Sequence, residues 1–312
     1  MRKEEFYFDS KDTVSRIYAV RYMPDTGNVS GIVQIMHGMA EYVERYEAFA
    51  GYLTDRGFVV TGEDHLGHGK SVGETGTQGY FCAGDSAWVV VDDNHSLREL
   101  TQKLYPGVPY YILGHSMGSF ILRNYLNCYS EGIHGVIIMG TGSQPGWLLQ
   151  ISKAVAAVQR LFLGEKHVSH FLDKAAFGAY NKRIESPKTK FDWLSRDQKK
   201  VAQYIADPDC GFVFTVNGFR TLFELIRRCQ STEAFNRIPG QLPILVVSGQ
   251  EDPVGGYGKG TEQVAERLRG AGLQDVTLKL YPGCRHELLN EIEREQIMED
   301  IYCWLLEKKK AE

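Results

Sequence analysis

Short apolar segments alternate with amphipathic segments along most of this chain. The first 23 residues alternate in strand fashion, and further apolar runs, predicted as buried strands, occupy residues 31–38, 58–64, 110–114, 135–140, 243–249 and 276–283. Helical spacing of apolar residues marks the segments 44–56, 117–130, 260–270 and 288–308. Strands that alternate with amphipathic helices indicate a mostly parallel sheet with helices on both faces. We therefore expect an α/β fold.

The stretch from 143 to 235 interrupts this alternation, because it contains no clear strand run and has helical spacing. It is the candidate inserted domain, with residues 1–142 and 236–312 as the core. Its most apolar part, residues 147–163, is interrupted by Lys153 and Arg160 and is therefore not predicted to span a membrane. Two compatible interpretations remain for it: a helix packed against the rest of the protein, or a cap whose apolar face lines a pocket or contacts lipid.

Composition excludes several classes of protein. The 312 residues are 43% hydrophobic and 24% charged, with 35 Lys and Arg against 39 Asp and Glu, which gives a net charge of −4. These values are ordinary for a globular protein and give no basic footprint for nucleic acid. The charged N-terminus, the lack of an apolar run of about 20 residues and the scattered cysteines predict a cytoplasmic protein with reduced thiols. No nucleotide-binding fingerprint is present, and we expect neither a cofactor nor a metal.

The motif Gly-x-Ser-x-Gly occurs twice, at 114–118 and at 69–73. Only the first copy follows a predicted strand and opens a predicted helix, which is the context of a nucleophile elbow. The second copy lies in a polar, glycine-rich stretch and is predicted to be a loop. Ser116 is therefore the candidate nucleophile; the alternative is that it serves only as the N-cap of the helix.

A serine hydroxyl needs a histidine base, and elbow enzymes carry the triad in the chain order Ser, Asp or Glu, then His. His167 and His170 lie in the inserted segment. His286 follows the predicted strand 276–283 and precedes a helix, so it should lie at the same edge of the sheet as Ser116. We therefore predict that His286 is the catalytic base.

The acid should follow the strand before the base, which is residues 243–249. Asp252, directly before Pro253, is the preferred candidate, and Glu251 is the alternative. Neighbouring side chains usually point in different directions, so only one of the two can meet His286.

The negative charge that develops on the attacked carbonyl oxygen requires two backbone N–H donors. One should be Met117, directly after the candidate nucleophile at a helix N-terminus. The second should come from the loop after the strand 31–38, where we predict the N–H of Met39. Gly38 would let the backbone turn towards the substrate.

Two polar clusters have more than one interpretation. Asp64, His65 and His68 have the short spacing of metal ligands, but a glycine-rich loop stiffened by polar hydrogen bonds is the preferred interpretation. The segment Asp92-Asp93-Asn94-His95 is predicted to be a solvated helix start.

Five segments together resemble the monoacylglycerol lipase and lysophospholipase group of α/β-hydrolases: HGMAEYVERY (37–46), DHLGHGKS (64–71), GHSMGS (114–119), GQEDPVGG (249–256) and CRHELLNE (284–291). These segments span the chain from residue 37 to about residue 290. Tyr42 departs from the pattern, because eukaryotic members tend to have histidine there.

The resemblance implies an α/β-hydrolase fold with a helical cap at 143–235. It also implies hydrolysis of a single-chain lipid ester, such as a monoacylglycerol or a lysophospholipid. The apolar segment of the cap adds the expectation of transient contact with a lipid surface. Phe212, Phe214 and Phe219, with Gly38, are candidates for the acyl pocket, although packing within the cap explains the phenylalanines equally well. The alternatives are a small-ester carboxylesterase, a peptidase on the same fold, and a non-catalytic ligand-binding protein.

Overall fold

A single sheet forms the centre of the structure, a computed structural model that describes residues 1–25, 27–72 and 76–310. Within these ranges the sheet has eight strands: β1 (Arg2–Asp9), β2 (Arg16–Met23), β3 (Gly31–Met36), β4 (Phe58–Glu63), β5 (Tyr110–His115), β6 (Gly135–Met139), β7 (Ile244–Gly249) and β8 (Val276–Tyr281). The strand order is β1-β2-β4-β3-β5-β6-β7-β8. The pairs β1–β2 and β2–β4 are antiparallel, and all other neighbours are parallel. The predicted, mostly parallel sheet is thereby confirmed.

Ten α-helices accompany the sheet in the described ranges. They are α1 (Glu47–Thr54), α2 (Ser86–Leu104), α3 (Met117–Tyr129), α4 (Gly146–Leu163), α5 (His170–Phe177), α6 (Gln198–Ala206), α7 (Val216–Cys229), α8 (Thr232–Asn236), α9 (Lys259–Gly270) and α10 (Arg294–Lys310). Two predicted helices are divided: a 3₁₀ turn at Val43–Tyr46 precedes α1, and another at Leu288–Asn290 precedes α10.

Each face of the sheet carries its own apolar core, because successive strand residues point to opposite faces. Ile112 and Ile138 belong to one core, which packs against α2 and α3. Their neighbours Leu113 and Ile137 belong to the other, which packs against α1 and α10. Burial on both faces explains why the central strands are continuously apolar rather than alternating.

The segment between β6 and β7 contains α4 to α8, and we call residues 140–243 the helical insert. Its helix α7 is bound tightly to the core: Asn124 of α3 donates to the carbonyl of Leu225 at 2.9 Å, and Arg123 donates to the carbonyl of Cys229 at 3.2 Å. Helix α4 packs in turn on α7. The short helix α8 spans the predicted boundary at residue 235.

Helix α4 buries only a narrow face, to which Leu149 and Ala156 belong. On its other sides, Trp147, Leu161 and Phe162 are 67%, 79% and 77% exposed. This helix is therefore packed on the protein and at the same time presents large apolar side chains to its surroundings. No helix in the described ranges is both long enough and apolar enough to cross a membrane.

The prediction of a solvated helix start at residues 92–95 is wrong. These residues lie in the middle of α2, which begins after the capping carboxylate of Asp85. The Asp93 side chain is buried and accepts hydrogen bonds from the Ser10 hydroxyl at 2.8 Å and from the Lys11 N–H at 2.6 Å. The polar residues bind partners from a distant part of the chain instead of water, which no local pattern shows.

Because the sheet is buried on both faces, shortening one core side chain should destabilise the protein. Ile112→Ala should lower the free energy of unfolding by about 2–5 kcal/mol, because Ile112 is fully buried and its loss leaves a cavity. The matched control Val14→Ala should change it by less than about 0.5 kcal/mol, since Val14 is 74% exposed. Equilibrium unfolding in urea measures both values. Equal effects of the two substitutions would contradict this burial.

Candidate active site

The site lies where the direction of the strand connections reverses. The strands β3 and β5 are neighbours, but the chain leaves β3 towards β4 on one side and leaves β5 towards β6 on the other. Such a switch point opens a crevice at the carboxyl ends of the strands. Gly38 follows β3 and Ser116 follows β5; a Cβ placed on Gly38 would lie 3.2 Å from the Cβ of Ser116. The two predicted loops therefore meet in the crevice.

Ser116 occupies a strained turn between β5 and α3. Its φ of 54° and ψ of −119° are uncommon for a residue other than glycine. Its N–H donates to the carbonyl of Met139 at 3.0 Å, which fixes the turn to the end of β6. A Cβ on Gly118 would lie 1.9 Å from the Met36 oxygen, and one on Gly114 would lie 2.5 Å from the Gly118 oxygen. Glycine at both positions is therefore required for this turn to close.

The second copy of the serine motif has a different environment. Ser71 lies in a 3₁₀ turn at Gly69–Ser71, is fully buried, and its hydroxyl oxygen accepts a hydrogen bond from the Tyr18 N–H at 2.7 Å. The motif's last residue, Gly73, lies outside the described residues. Ser71 thus stabilises the edge of β2 and is closed to a ligand.

Asp252 and His286 meet as a hydrogen-bonded pair. His286 Nδ1 lies 2.9 Å from Asp252 Oδ2, and the carboxylate also accepts from the Ser248 hydroxyl at 3.0 Å and from the Val254 N–H at 2.9 Å. Burial opposes ionisation of Asp252, but the charge of His286 and these hydrogen bonds outweigh it, so the pKa of Asp252 lies below its ordinary value. Glu251 is exposed. The geometry therefore favours Asp252 over Glu251 as the partner of the imidazole.

The helical insert holds the loop that carries His286. The N–H of His286 donates to the carbonyl of Trp193 at 3.4 Å, and the N–H of Glu287 donates to the carbonyl of Leu194 at 2.7 Å. The indole ring of Trp193 lies 5.1 Å from the imidazole ring of His286, centroid to centroid. One side of this loop is therefore formed by residues about 90 positions earlier in the chain.

The loop after β3 is shaped by a buried carboxylate. The N–H of Gly38 donates to Glu41 Oε1 at 2.6 Å, so the chain turns back on itself between these residues. Ala40 adopts a φ of 53° within this turn. Met117 is the first residue of α3, and its N–H has no carbonyl one helical turn earlier to bind. Both Met39 and Met117 line the cavity described next.

A cavity of about 310 Å³ opens beside Ser116. His286, Gly38, Met39 and Met117 also line it. The apolar part of its wall includes side chains from α3, α5, α7 and the segment before α7: Phe120, Phe177, Phe212, Leu222 and Ile226. Among the residues predicted for the triad and for the oxyanion donors, all except the buried Asp252 therefore line one cavity.

Two of the three phenylalanines proposed for an acyl pocket do not line this cavity. Phe212 lines it, but Phe214 and Phe219 are fully buried elsewhere in the insert. Their rings lie 5.9 Å apart, and that of Phe214 lies 5.2 Å from His68. The rings of Phe212 and Phe214 stack at 6.0 Å, so strand alternation does not separate them and tertiary packing decides which ring meets the cavity.

Sequence reasoning missed several residues of the site. Tyr180 and Trp193 line the cavity and stack edge to face at 4.9 Å. They belong to a segment without a strand pattern or a motif, so no signal marked them. His115 and Glu41 also line the cavity. Both lie inside motifs that the sequence contains, yet a motif does not reveal which groups its side chains bind.

The insert also holds the loop after β3. The carbonyl of Ala40 accepts hydrogen bonds from the N–H of Gly211 at 2.9 Å and from the Tyr204 hydroxyl at 3.0 Å. Tyr42, the position that departs from the eukaryotic pattern, donates its hydroxyl to Asp207 Oδ2 at 2.7 Å. This tyrosine therefore joins the loop to the insert.

His65 and His68 of the glycine-rich loop form a packed, neutral cluster with His37 of the loop after β3. The ring of His65 stacks on that of His37 at 4.0 Å, and the His65 N–H donates to His37 Nε2 at 3.0 Å. Burial lowers the pKa of His37 to about 4 and that of His68 to about 3. Asp64 accepts from the N–H groups of Val43 and Lys70. These contacts confirm the predicted loop stiffened by polar hydrogen bonds.

One other group of side chains has the spacing of metal ligands. Within the part of the chain that the structure describes, potential donor atoms of Cys284, Glu291 and Glu293 lie within 4.8 Å of one another. The guanidinium of Arg196 donates to all three of them. An arginine therefore occupies the position that a cation would take, and the group is an ion-pair network.

Comparison with known proteins adds three findings. Residues 27–293 match the family model described as serine aminopeptidase, S33. The monoacylglycerol lipase of Mycolicibacterium smegmatis is 29% identical over 310 residues, which is 97% of each chain, and the human monoglyceride lipase is 27% identical over 297 residues, 92% of this chain and 86% of its own. The solved structure of a highly thermostable carboxyl esterase from Bacillus coagulans in complex with glycerol has a TM-score of 0.92 at 31% identity over 99% of both chains. The predicted α/β-hydrolase fold and resemblance are confirmed.

Asp252 is hydrogen-bonded to His286 and Glu251 is exposed, so substitution of the two acids should have different effects on the reactivity of Ser116. Asp252→Asn should slow the reaction of Ser116 with a fluorophosphonate probe by at least about 10³-fold, because an amide no longer holds the imidazole in the correct tautomer. Glu251→Gln is the matched control and should react within about twofold of the parent, since Glu251 is exposed. Mass spectrometry follows the labelling of Ser116 over time.

In the parent chain the labelling should also slow as the pH falls, because a protonated imidazole cannot accept the serine proton. Asp252 does not cause this change, since its pKa is held below the ordinary range of a carboxyl group. An equally slow reaction of the Glu251→Gln variant would contradict the assignment of Asp252.

Proposed function

The chain belongs to the serine aminopeptidase, S33, family of α/β-hydrolases, and from this premise we propose that it is a serine hydrolase that cleaves carboxylic esters, with monoacylglycerols as its substrate class. One observation carries the proposal. The strained Ser116 and the pair formed by His286 and Asp252 come together at a cavity whose wall is largely apolar.

The proposed first half of the reaction forms an acyl-enzyme. The Oγ of Ser116 attacks the carbonyl carbon of the ester while His286 accepts the hydroxyl proton. Asp252 holds the imidazole and stabilises the imidazolium that forms. The N–H groups of Met39 and Met117 bind the oxyanion. When the tetrahedral intermediate collapses, the C–O bond to the alcohol breaks and His286 gives its proton to the leaving oxygen.

Hydrolysis completes the cycle. His286 removes a proton from a water molecule, whose oxygen attacks the acyl carbon of the acyl-enzyme. The bond to Ser116 Oγ then breaks, the proton returns to the serine, and the carboxylic acid leaves. In this proposal every proton passes through the imidazole of His286, which is hydrogen-bonded to Asp252 and lines the cavity.

A substrate with one acyl chain and a small polar head fits the cavity. Phe120, Phe177 and Phe212 offer apolar contact to the chain, whereas the polar surroundings of Ser116 suit the ester. The bacterial and human relatives are named monoacylglycerol lipase and monoglyceride lipase, and the similar esterase structure contains glycerol. We therefore rank a glycerol ester above a lysophospholipid.

A peptidase is disfavoured by the charges around the cavity. An aminopeptidase on this fold would need an anionic cluster to hold the substrate's amino group. Among the described residues of the cavity wall, Glu41 and Glu287 are both paired with Arg45. Asp173 lies near the cation of Lys190. Asp173 is therefore a single wall acid beside a cation, which does not form an anionic cluster, so an ester is the better substrate.

We further propose that residues 143–235 form a cap that contacts a lipid surface. The exposed apolar side chains of α4, among them Trp147, Leu161 and Phe162, are the contact. Large apolar side chains on an amphipathic helix bind at the boundary between headgroups and acyl chains. The cap also supplies much of the cavity wall, so contact with lipid and entry of the substrate would occur on the same part of the molecule.

We propose the cytoplasm as the compartment. All six cysteines lie within the described residues, and each is a free thiol there. Reduced cysteines are typical of a reducing compartment.

Fatty-acid release tests the proposed activity. The parent chain should release fatty acid from a long-chain monoacylglycerol, and Ser116→Ala should lower kcat by at least about 10³-fold, because the acyl-enzyme cannot form. Chromatography of the extracted acid measures the rate. Ser119→Ala, one helical turn away, is the matched control and should remain active within about tenfold.

The other outcomes separate the alternatives. Faster release from a lysophospholipid would overturn the choice of head group, and cleavage of short esters alone would favour a carboxylesterase. Failure of Ser116 to react with fluorophosphonate, with no acid released, would favour a non-catalytic ligand-binding protein.

The lipid contact has its own test. Leu161→Asp combined with Phe162→Asp should lower sedimentation with phosphatidylcholine vesicles by at least about tenfold, because two charges replace apolar contact area. Cleavage of a soluble short ester should stay within about twofold, since neither residue lines the cavity. Val14→Asp is the matched control, because Val14 is equally exposed but belongs to a loop outside the helical insert. Unchanged sedimentation of the double variant would refute the contact.

A further inference from the structure

His115 is a buried residue that joins the elbow to two other loops of the site. It directly precedes Ser116 at the end of β5, and almost none of its surface is exposed. Its Nε2 lies 3.3 Å from the carbonyl oxygen of His286. Its Nδ1 lies 2.8 Å from the hydroxyl of Tyr46 and 3.3 Å from Glu41 Oε1. Each ring nitrogen therefore faces a different part of the active site.

These contacts determine where the protons of the imidazole lie. A carbonyl oxygen only accepts, so Nε2 must carry a proton to bind the carbonyl of His286. The hydroxyl of Tyr46 donates to Glu41 Oε1 at 2.9 Å, so its oxygen is free to accept from Nδ1. Nδ1 must then also carry a proton, which it directs at the phenol oxygen and the carboxylate. Both nitrogens donate, and the ring is an imidazolium.

The surrounding charges favour this cation. Burial alone would lower the pKa of His115, but the hydrogen bond and the charge of Glu41 outweigh burial and raise it above its ordinary value. Glu41 in turn is fully buried and keeps its charge, because Arg45 and His115 lie beside it and hold its pKa well below the ordinary range.

The other groups that face this ion pair balance it. The guanidinium of Arg45 pairs with Glu41 and, through two hydrogen bonds of 2.9 and 2.8 Å, with Glu287. From the neighbouring loop, His37 is neutral because burial lowers its pKa to about 4. The His286 ring lies 4.8 Å from the ring of His115. Two cations and two carboxylates therefore alternate beneath the site without a net charge.

We propose that His115, held as a cation by Glu41, is a positioning residue that fixes the backbone of His286 and thereby the position of the catalytic imidazole relative to Ser116. This inference rests on the proposed function, since it assigns His286 the part of the base. His115 has no contact with the reacting atoms in this assignment and acts only through its neighbour.

The backbone of His286 is held by two other parts of the chain. Its carbonyl accepts from His115, which belongs to the same turn as the nucleophile, and its N–H donates to the carbonyl of Trp193 in the insert. Glu287, the next residue, is bound by Arg45, which also binds the carboxylate that shapes the loop after β3. The imidazolium of His115 thus connects three parts of the site: the turn of Ser116, the backbone of His286 and, through Glu41, the loop after β3. A small displacement of a reacting group lowers the rate strongly without weakening substrate binding.

The protonation state can be measured directly. In the ¹⁵N spectrum of the histidine-labelled parent at about pH 7, one buried imidazole should show both nitrogens protonated, and that signal should be absent in His115→Gln. Glu41→Gln should convert it to a neutral ring, because the carboxylate charge is removed. A neutral His115 in the parent would overturn the proposal.

A pair of isosteric variants tests the positioning itself. In His115→Gln the side-chain amide can reach the place of Nε2 and donate to the carbonyl of His286, whereas in His115→Asn it reaches only the place of Nδ1. We expect His115→Asn to lower kcat for a soluble ester by about 10- to 100-fold with KM within about twofold. His115→Gln should recover most of that loss.

Equal kcat values for the two variants would overturn the proposal, whether both are impaired or both are as active as the parent. A loss that appears only in KM would overturn it as well. Thermal unfolding of both variants distinguishes a folding defect from a displaced base: a lowered Tm in His115→Asn alone, in proportion to its loss of activity, counts against positioning. Failure of the proposed function is recognised separately, because the parent itself would then neither release acid nor react with fluorophosphonate.

Discussion

The strained turn at Ser116 is the constraint on which the rest of the site depends. A serine keeps a positive φ only if its surroundings over-determine it. Here the Met139 carbonyl binds its N–H, and Gly114 and Gly118 let β5, β3 and α3 approach closely. This close approach places the hydroxyl at the carboxyl edge of the sheet, next to the loop after β3. The switch in strand direction between β3 and β5 leaves room there for a ligand.

The loop after β3, the loop that carries His286 and the helical insert surround Ser116, and buried charges join the two loops. Glu41 binds the N–H of Gly38, while its partner Arg45 binds Glu287, the residue after His286. Removing either partner would leave a charge buried without compensation, which is far costlier than losing the pair as a whole. The polar network beneath the cavity is therefore a fixed support, whereas the wall above it is largely apolar, although the charged Asp173, Lys174 and Lys190 belong to it.

The helical insert combines two different kinds of contact. Its helix α7 is buried against α3 through side chains that bind helix-end carbonyls, as Asn124 and Arg123 do. Its helix α4 rests on α7 and leaves Leu161 and Phe162 almost fully exposed. An insert that is anchored through one helix and apolar on another presents a hydrophobic surface without loosening the core. The same insert supplies Trp193, whose carbonyl accepts from the N–H of His286, so the wall of the cavity and the position of His286 are linked.

The sequence by itself determined the strand and helix alternation, the elbow at Ser116 and the order in which Asp252 and His286 follow, because these depend on local periodicity and on short motifs. It preferred Asp252 to Glu251 without showing which side chain meets the imidazole, misplaced residues 92–95, and offered Phe214 and Phe219 either for a pocket, which they do not line, or for packing within the cap. Only the tertiary structure decided these points, together with the parts of Glu41, His115 and Trp193. Burial and hydrogen-bond partners come from residues far apart in the chain, and a local pattern carries no information about which distant group a side chain will meet.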